Sequence, residues 1–288
     1  MFRFILVPAT GTATDATVFQ AALGVARLQG GHLAFLHVGI DVQKVTMPIA
    51  SAEFGGGSGI AEIIDLLERE TAARHDRASA AVQSFCSQAA IPMSTTPLDV
   101  ALSAEWRTET GDQAHWMAVH GRVADLLVLG RPLVGGTIPL DVVDAVLMET
   151  GRPVLIVPTN PPGPIGQTIA IAWKDTAETA SAVAAAMPLL AKAQRVVILA
   201  IAEDARTDPA ACERLRQALV WHNRSTTVQC VPTSGDEPAD TLLRLAADFG
   251  ADLLVMGGYG HSRMREVVFG GFTRRVLHAA DLPVLMAH

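Results

Sequence analysis

The chain has 288 residues, half of them hydrophobic, and a formal net charge of −7 at pH 7. This length suits one large domain or two of ordinary size, and an acidic chain without a Lys/Arg run is poorly suited to nonspecific nucleic-acid binding. No stretch approaches the roughly 18 consecutive apolar residues of a membrane-spanning helix. Because Pro8 breaks the N-terminal apolar run too early for a signal peptide, we expect a cytoplasmic protein that contacts neither nucleic acid nor a membrane.

The cysteine and histidine spacings match none of the common metal-site patterns. Cys86, Cys212 and Cys230 show no CxxC spacing, and we interpret them as buried small hydrophobes in a reducing compartment. His261 stands beside Ser262, but adjacent residues rarely face each other and no acid is evident to orient the histidine. We therefore predict no metal site and no catalytic residue.

Along the first part of the chain, short apolar runs alternate with helical patterns. The runs predict strands at 4–8, 32–38, 95–100, 125–130 and 153–157, and the helical patterns predict helices at 15–29, 60–90, 112–120 and 139–149. The glycine-rich run FGGGSG at 54–59 is predicted to form a mobile surface loop.

The second part of the chain has the same organisation. It predicts strands at 168–173, 195–202, 226–231 and 252–257 and from 283 onward, with helices at 178–193, 208–223, 237–249 and about 270–280. Strands nearly continuous in Val, Ile and Leu and separated by helices indicate a parallel sheet covered on both faces. We predict an α/β fold of two similar doubly wound, Rossmann-like domains, each with a five-stranded parallel sheet.

Two strings recur in the same order and support a duplication. ADLLVLG at 124–130 returns as ADLLVMG at 251–257, and RPVLIVP at 152–158 returns as LPVLMAH at 282–288. The proline-rich break TNPPGP at 159–164 separates the copies. We therefore predict domains at 1–158 and 168–288, joined by a linker at 159–167.

A cluster of glycines follows the predicted strand at 252–257. The spacing is Gly257-x2-Gly260-x9-Gly270, and Gly271 opens the next predicted helix. Bare backbone at a helix N-terminus favours an anion, so the cluster is typical of a phosphate cradle, to which Arg263 and Thr273 could add donors. A glycine-rich connection between a strand and a helix, with no ligand, explains the spacing equally well.

With this motif, the repeat and the Leu-Pro-Val-Leu ending, the chain resembles a tandem universal stress protein, in which two domains of the universal stress family are fused head to tail. Nucleotide-binding members carry G-x2-G-x9-G-[S/T] after the fourth strand, and Gly257, Gly260 and Gly270 match it. Gly271 departs from the Ser/Thr position and removes a hydroxyl that would meet a phosphate. The resemblance therefore implies adenosine or monophosphate binding more strongly than triphosphate binding.

The resemblance also implies an aspartate at the adenine, after the first strand of the domain. Lys174 occupies that position here and Asp175 follows it. Either Asp175 contacts the base, or the backbone and the Trp173 ring hold it, and Trp173 is equally interpretable as a core aromatic. The implied site for ATP or AMP, with Mg²⁺ possible beside ATP, comprises Ala172, Trp173, Lys174, Asp175, Ile201, Met256, Gly257, Gly260, His261, Arg263, Gly270, Gly271, Phe272 and Thr273.

The first domain is predicted to be a degenerate partner that binds no nucleotide. Its stretch at 7–12 contains no acid, and Leu133 replaces the second glycine of the motif. From the resemblance we expect the final strands, 153–157 and 283–287, to pair within the chain as a pseudo-dimer, with a homodimer also possible.

The expected function is a stress response in which an adenine nucleotide acts as a regulatory ligand of the second domain. Two alternatives stay open: a nucleotide-free interaction scaffold, and a weak ATPase or adenylyl-handling enzyme.

Overall fold

A computed structural model of the chain describes residues 1–52, 57–99, 101–132, 138–161, 163–202, 209–232, 237–258 and 271–288. The strands are β1 (Phe4–Pro8), β2 (His32–Gly39), β3 (Ser103–Thr110), β4 (Leu126–Gly130), β5 (Val154–Val157), β6 (Thr168–Ala172), β7 (Arg195–Ala202), β8 (Thr226–Pro232), β9 (Leu253–Gly257) and β10 (Val284–Ala287). The helices are α1 (Asp15–Gln29), α2 (Val42–Ala52), α3 (Gly57–Gln88), α4 (Gln113–Gly121), α5 (Leu140–Glu149), α6 (Ala177–Leu190), α7 (Pro209–Leu219), α8 (Pro238–Asp248) and α9 (Gly271–Ala279).

The strands form one continuous sheet in the order β3-β2-β1-β4-β5-β10-β9-β6-β7-β8. Residues 1–158, the first half, and residues 168–288, the second half, each contribute five strands that run parallel and follow the same relative order. The final strands of the halves, β5 and β10, lie side by side and antiparallel, with Leu285 opposite Leu155. The predicted α/β class is confirmed, with the two sheets joined into one.

Apolar side chains cover both faces of this sheet, as its near-continuous Val/Ile/Leu strands require. One face packs mainly under α1, α3 and α6, where Phe19 and Phe85 each meet Phe35 edge to face. The other face packs under α4, α5, α8 and α9 around residues such as Met117 and Leu242. Each fully buried side chain of this size contributes about 1.5–3 kcal/mol to folding.

The repeated Ala-Asp pair at 124–125 and 251–252 holds the beginning of the first strand of each half. The Asp125 carboxylate accepts hydrogen bonds from the N–H groups of residues 3 and 4 at 2.8 and 3.0 Å. The Asp252 carboxylate accepts from the N–H groups of residues 166–168 at 2.6, 2.9 and 3.0 Å. The strongest repeat in the sequence is therefore structural, and it lies at the sheet edge opposite the carboxyl ends of the strands.

The third strand of the first half was predicted at 95–100, and this prediction is wrong. The strand is β3, which pairs with β2 along its whole length from His32↔Ser103 to Gly39↔Thr110. Pro97 gives the 95–100 segment one fewer backbone donor. The true strand is harder to recognise because it is an edge strand that alternates charged residues with others, Glu105 and Arg107 among them.

Three smaller predictions also need correction. The sequence analysis missed α2, and it placed residues 57–59 in a loop, whereas α3 begins at Gly57; residues 53–56 lie outside the described part of the chain. Cys86 and Cys212 are buried as predicted, but Cys230 is exposed because β8 is the outer strand of the sheet. Among the helices that the structure describes, none has the length and apolarity needed to cross a membrane.

Candidate nucleotide site

The carboxyl ends of β6 and β9 lie next to each other in the second half. The chain leaves β6 through α6 towards β7 on one side, while β9 flanks β6 on the other, so the strand order switches here. The register pairs Ala172 with Met256, and Met256 is buried. Doubly wound sheets bind ligands in the crevice at such a switch point. The structure therefore places Ala172 opposite Met256, the first residue of each of the two segments that the sequence analysis assigned to the site.

The segment after β6 is anchored by its own backbone. Trp173 N–H donates to the Leu199 carbonyl at 2.8 Å, and Thr176 caps α6 by accepting from Thr179 N–H at 3.4 Å. The Trp173 ring packs partly buried against the core face under α6. Its Nε1 is buried and has no hydrogen-bond partner among the described residues. Trp173 is thus a core aromatic that also carries an unused donor.

The two charged residues that follow Trp173 are both exposed. The Asp175 carboxylate pairs with Arg214 of α7 at 3.1 Å, with side chains 65% and 61% exposed. An ion pair this exposed contributes about 0–1 kcal/mol. Asp175 is therefore turned towards α7.

Gly257 lacks a side chain for a reason that involves no ligand. A Cβ built at Gly257 would lie 2.7 Å from Thr179 N and 2.8 Å from the Glu178 carbonyl carbon, in the first turn of α6. Distances this short leave no room for a methyl group, because the obstructing atoms are backbone. The absence of a side chain at Gly257 allows α6 to pack closely onto the end of β9.

The beginning of α9 combines an exposed end with buried side chains. Gly271 is exposed, and a Cβ built there would meet no described atom within 4 Å. Phe272 packs against the core. Thr273 was expected to contact a phosphate, but its side chain is largely buried, with 8% exposed. Arg275 pairs with Asp240 of α8 through two contacts of 2.8 and 3.0 Å, which fixes the outer side of the helix.

Several predicted site residues fall elsewhere. Gly260, His261, Arg263 and Gly270 lie outside the described residues. Ile201 lies in β7, the neighbour of β6 on the far side from β9.

The equivalent segment of the first half is closed by a residue that the sequence analysis missed. Asp15, 3% exposed in the first turn of α1, accepts from Thr10 N–H, Gly11 N–H and the Thr10 hydroxyl at 3.0, 2.8 and 2.6 Å. Gly11 has a φ of +73°, and a Cβ there would lie 2.5 Å from the Arg74 carbonyl oxygen of α3. The signal in the sequence was Asp15 at a helix start, a position typical of a carboxylate that binds nearby N–H groups.

The fold and this crevice define a doubly wound α/β protein with a switch-point site. Residues 167–288 match the sequence profile of the Universal stress protein family. The resemblance to this family is therefore confirmed for residues 167–288.

Individual relatives agree with this assignment. The chain is 44% identical over 46 residues to a universal stress protein of Synechocystis, covering 16% of each chain. It is 31% identical over 49 residues to one of Methanocaldococcus jannaschii, covering 17% of this chain and 30% of the relative. The matched segments thus span less than a third of either relative.

A solved structure matches nearly the whole chain. A universal stress protein from Archaeoglobus fulgidus superimposes with a TM-score of 0.69 at 15% identity, over 99% of this chain and 96% of that one. At this identity the likeness concerns the fold, and it extends over both halves.

Proposed function

We propose that the second half binds one adenine nucleotide, AMP or ATP, and that the nucleotide acts as a regulatory ligand in a stress response. The observation that carries this proposal is the pairing of Ala172 with Met256 at the switch point, which brings the segment after β6 against the segment that opens the glycine motif. Among the described residues, no atom lies within 4 Å of a Cβ at Gly271 and none pairs with Trp173 Nε1, which is compatible with a ligand there. Mg²⁺ would accompany ATP through its phosphates.

The proposal is tested by calorimetric titration and by thermal melts with and without AMP and ATP. We expect one site per chain, and a nucleotide at about a hundred times its Kd to stabilise the protein by roughly 2.7 kcal/mol. Gly260→Val is expected to abolish this increment while melting near the parent temperature. Gly258→Ala is the matched control, because a Cβ at Gly258 makes only ordinary contacts of 3.5 Å. Two equivalent sites per chain would contradict the proposal.

A nucleotide-free scaffold is the second candidate function. It is favoured by the Gly257 packing against α6, which explains one motif glycine without a ligand, and by the Asp175–Arg214 pair. If this candidate is correct, the parent protein will show neither calorimetric binding nor a thermal shift with AMP or ATP. Mass spectrometry of the purified protein sharpens the choice, since a co-purifying adenine nucleotide favours the first candidate.

A further inference from the structure

The sheet has two outer strands, β3 in the first half and β8 in the second, and the outer edge of β3 is protected. Part of that edge is already paired, because Ser94 N–H donates to the Ala104 carbonyl at 2.7 Å. The strand also carries Glu105, Arg107 and Glu109 along its length. Charged residues and local cover of this kind keep an edge strand from pairing with another chain.

The outer edge of β8 has neither form of protection. Its sequence, TTVQCVP over Thr226–Pro232, contains no charged residue. On its outer side β8 pairs with no strand of the described residues. Thr227, Gln229 and Cys230 are exposed. An uncharged outer strand with an open side is a template on which a further strand can pair.

The pairing of β8 with β7 determines which backbone groups face the open side. The two strands run parallel with Val196 opposite Thr226, and Val196 N–H donates to the Ser225 carbonyl at 3.0 Å. Along a strand of a parallel pair, alternate residues direct their backbone groups to opposite sides. The odd-numbered residues of β8 therefore bond to β7, and the N–H and C=O groups of Val228 and Cys230 point outward.

The helices beside β8 leave this edge accessible. On one face α7 contacts both β7 and β8, and Arg214 of α7 pairs with Asp175, just after β6, at 3.1 Å. This helix therefore lies over the sheet and not beyond its edge. On the other face α8 contacts β7. Gln229 and Cys230 are consecutive and point to opposite faces of the strand, and both are exposed.

We propose that β8 pairs antiparallel with β8 of a second copy of this chain, about a two-fold axis at Gln229. In this register Val228 lies opposite Cys230 of the partner subunit, and their outward N–H and C=O groups form a hydrogen-bonded pair. Gln229 then faces Gln229 of the partner subunit in a non-hydrogen-bonded pair. The register also overlaps the whole strand, because Gln229 is the midpoint of Thr226–Pro232.

The composition of β8 favours a second copy as the occupant. A two-fold axis places each residue opposite a residue of the same strand, so that like charges would meet if the strand carried them. β8 has no charge to repel its own copy. The chain already joins its two halves by an antiparallel pair of outer strands, β5 and β10, and the dimer would extend the sheet in the same way. This proposal does not depend on nucleotide binding.

The first experiment is analytical ultracentrifugation of the full chain, without nucleotide and under reducing conditions, over about 5–500 µM. Gln229→Lys and Gln229→Glu each place two like charges at the axis, whereas an equimolar mixture of the two variants places opposite charges there. Gln83→Lys and Gln83→Glu are the matched controls, because Gln83 is an exposed glutamine of α3 in the first half. Thermal melts check that every variant is folded.

We expect the parent to form dimers with a Kd of about 1–100 µM, since pairing along one strand is a small interface. Each Gln229 variant alone should associate about tenfold more weakly or less, and the mixture should recover dimers. The Gln83 variants should match the parent. A parent that stays monomeric at about 500 µM, species larger than a dimer, or Gln229 variants that associate like the parent would overturn the proposal.

A cysteine variant tests the register and does not depend on the charged variants. Facing residues of a non-hydrogen-bonded antiparallel pair have Cα atoms about 4.5 Å apart, which is within the range of a disulfide. Gln229→Cys in a Cys230→Ser background should therefore form a disulfide-linked dimer with oxidised glutathione, as seen by non-reducing electrophoresis. Gln83→Cys in the same background is the control and should stay monomeric. Equal crosslinking of the two variants, or none in Gln229→Cys, would contradict the axis at Gln229.

Discussion

The segments after β1 and after β6 occupy equivalent places in the two halves, but their aspartates form opposite kinds of contact. After β1, the buried Asp15 turns back and binds the N–H groups of Thr10 and Gly11. After β6, Asp175 turns outward to Arg214 on the protein surface. The same strand order thus supports a closed segment in one half and an exposed one in the other, and a few side chains at the strand ends decide which.

The largest effect is expected from Gly257→Val, which tests whether this glycine serves packing. The valine side chain would collide with the α6 backbone next to Thr179, and we expect a loss of about 3 kcal/mol in the free energy of unfolding. The measurement is urea denaturation. Gly271→Val is the matched control because a Cβ at Gly271 would meet no atom of the described residues within 4 Å, and equal losses in the two variants would refute the packing role.

The second prediction compares the two aspartates directly. Asp15→Ala leaves the Thr10 and Gly11 N–H groups without their acceptor, and we expect a cost of about 2 kcal/mol. Asp175→Ala removes only an exposed ion pair and should cost less than about 1 kcal/mol. Urea denaturation of both variants measures the difference. Similar losses in the free energy of unfolding would mean that the two aspartates stabilise their segments equally, despite their different hydrogen bonds.

The third prediction concerns the contact between the halves. Arg131, just after β4, donates through Nη1 to the His278 carbonyl in the last turn of α9 at 3.1 Å. Removing a cation at a helix C-terminus costs up to about 1 kcal/mol, so Arg131→Met should lower the free energy of unfolding by that amount. Arg244→Met, which removes a long exposed contact of 3.9 Å to Asp248, is the control and should change little.

The smallest expected effect is a pH dependence that originates in the first half. Burial lowers the pKa of His37 below its ordinary value of 6.5. The unfolded chain therefore binds a proton near pH 6 that the folded chain does not, and this contribution to stability is lost as the pH falls below about 6.5. His32 acts in the same direction, because burial also lowers its pKa.

The variant His37→Asn isolates the His37 contribution. Comparison of its unfolding free energy with that of the parent at about pH 7.5 and about pH 5.5 should show a smaller loss on acidification in the variant. An equal loss in both proteins would show that His37 does not titrate on unfolding in this range.

Much of the fold was determined by the sequence alone. Near-continuous apolar runs gave β1, β7 and their helical partners with little error, because burial on both faces leaves a strand almost no polar positions. The repeat of 124–130 at 251–257 indicated two similar halves. The physical reason is that Asp125 and Asp252 each accept a hydrogen bond from the first backbone N–H of β1 and β6, respectively. The spacing of the glycines identified the family that residues 167–288 match.

Tertiary structure decided what local pattern could not express. The edge strand β3 is stabilised by pairing with β2 and carries no strong pattern of its own. The reason for Gly257 lies in the backbone of α6, and the buried His37 ring in β2 is held by the Ala9 carbonyl, which follows β1. Each of these features depends on atoms that are far apart in the chain and meet only after folding. A sequence pattern therefore does not show such a contact, except where the contact excludes a side chain, as it does at Gly257.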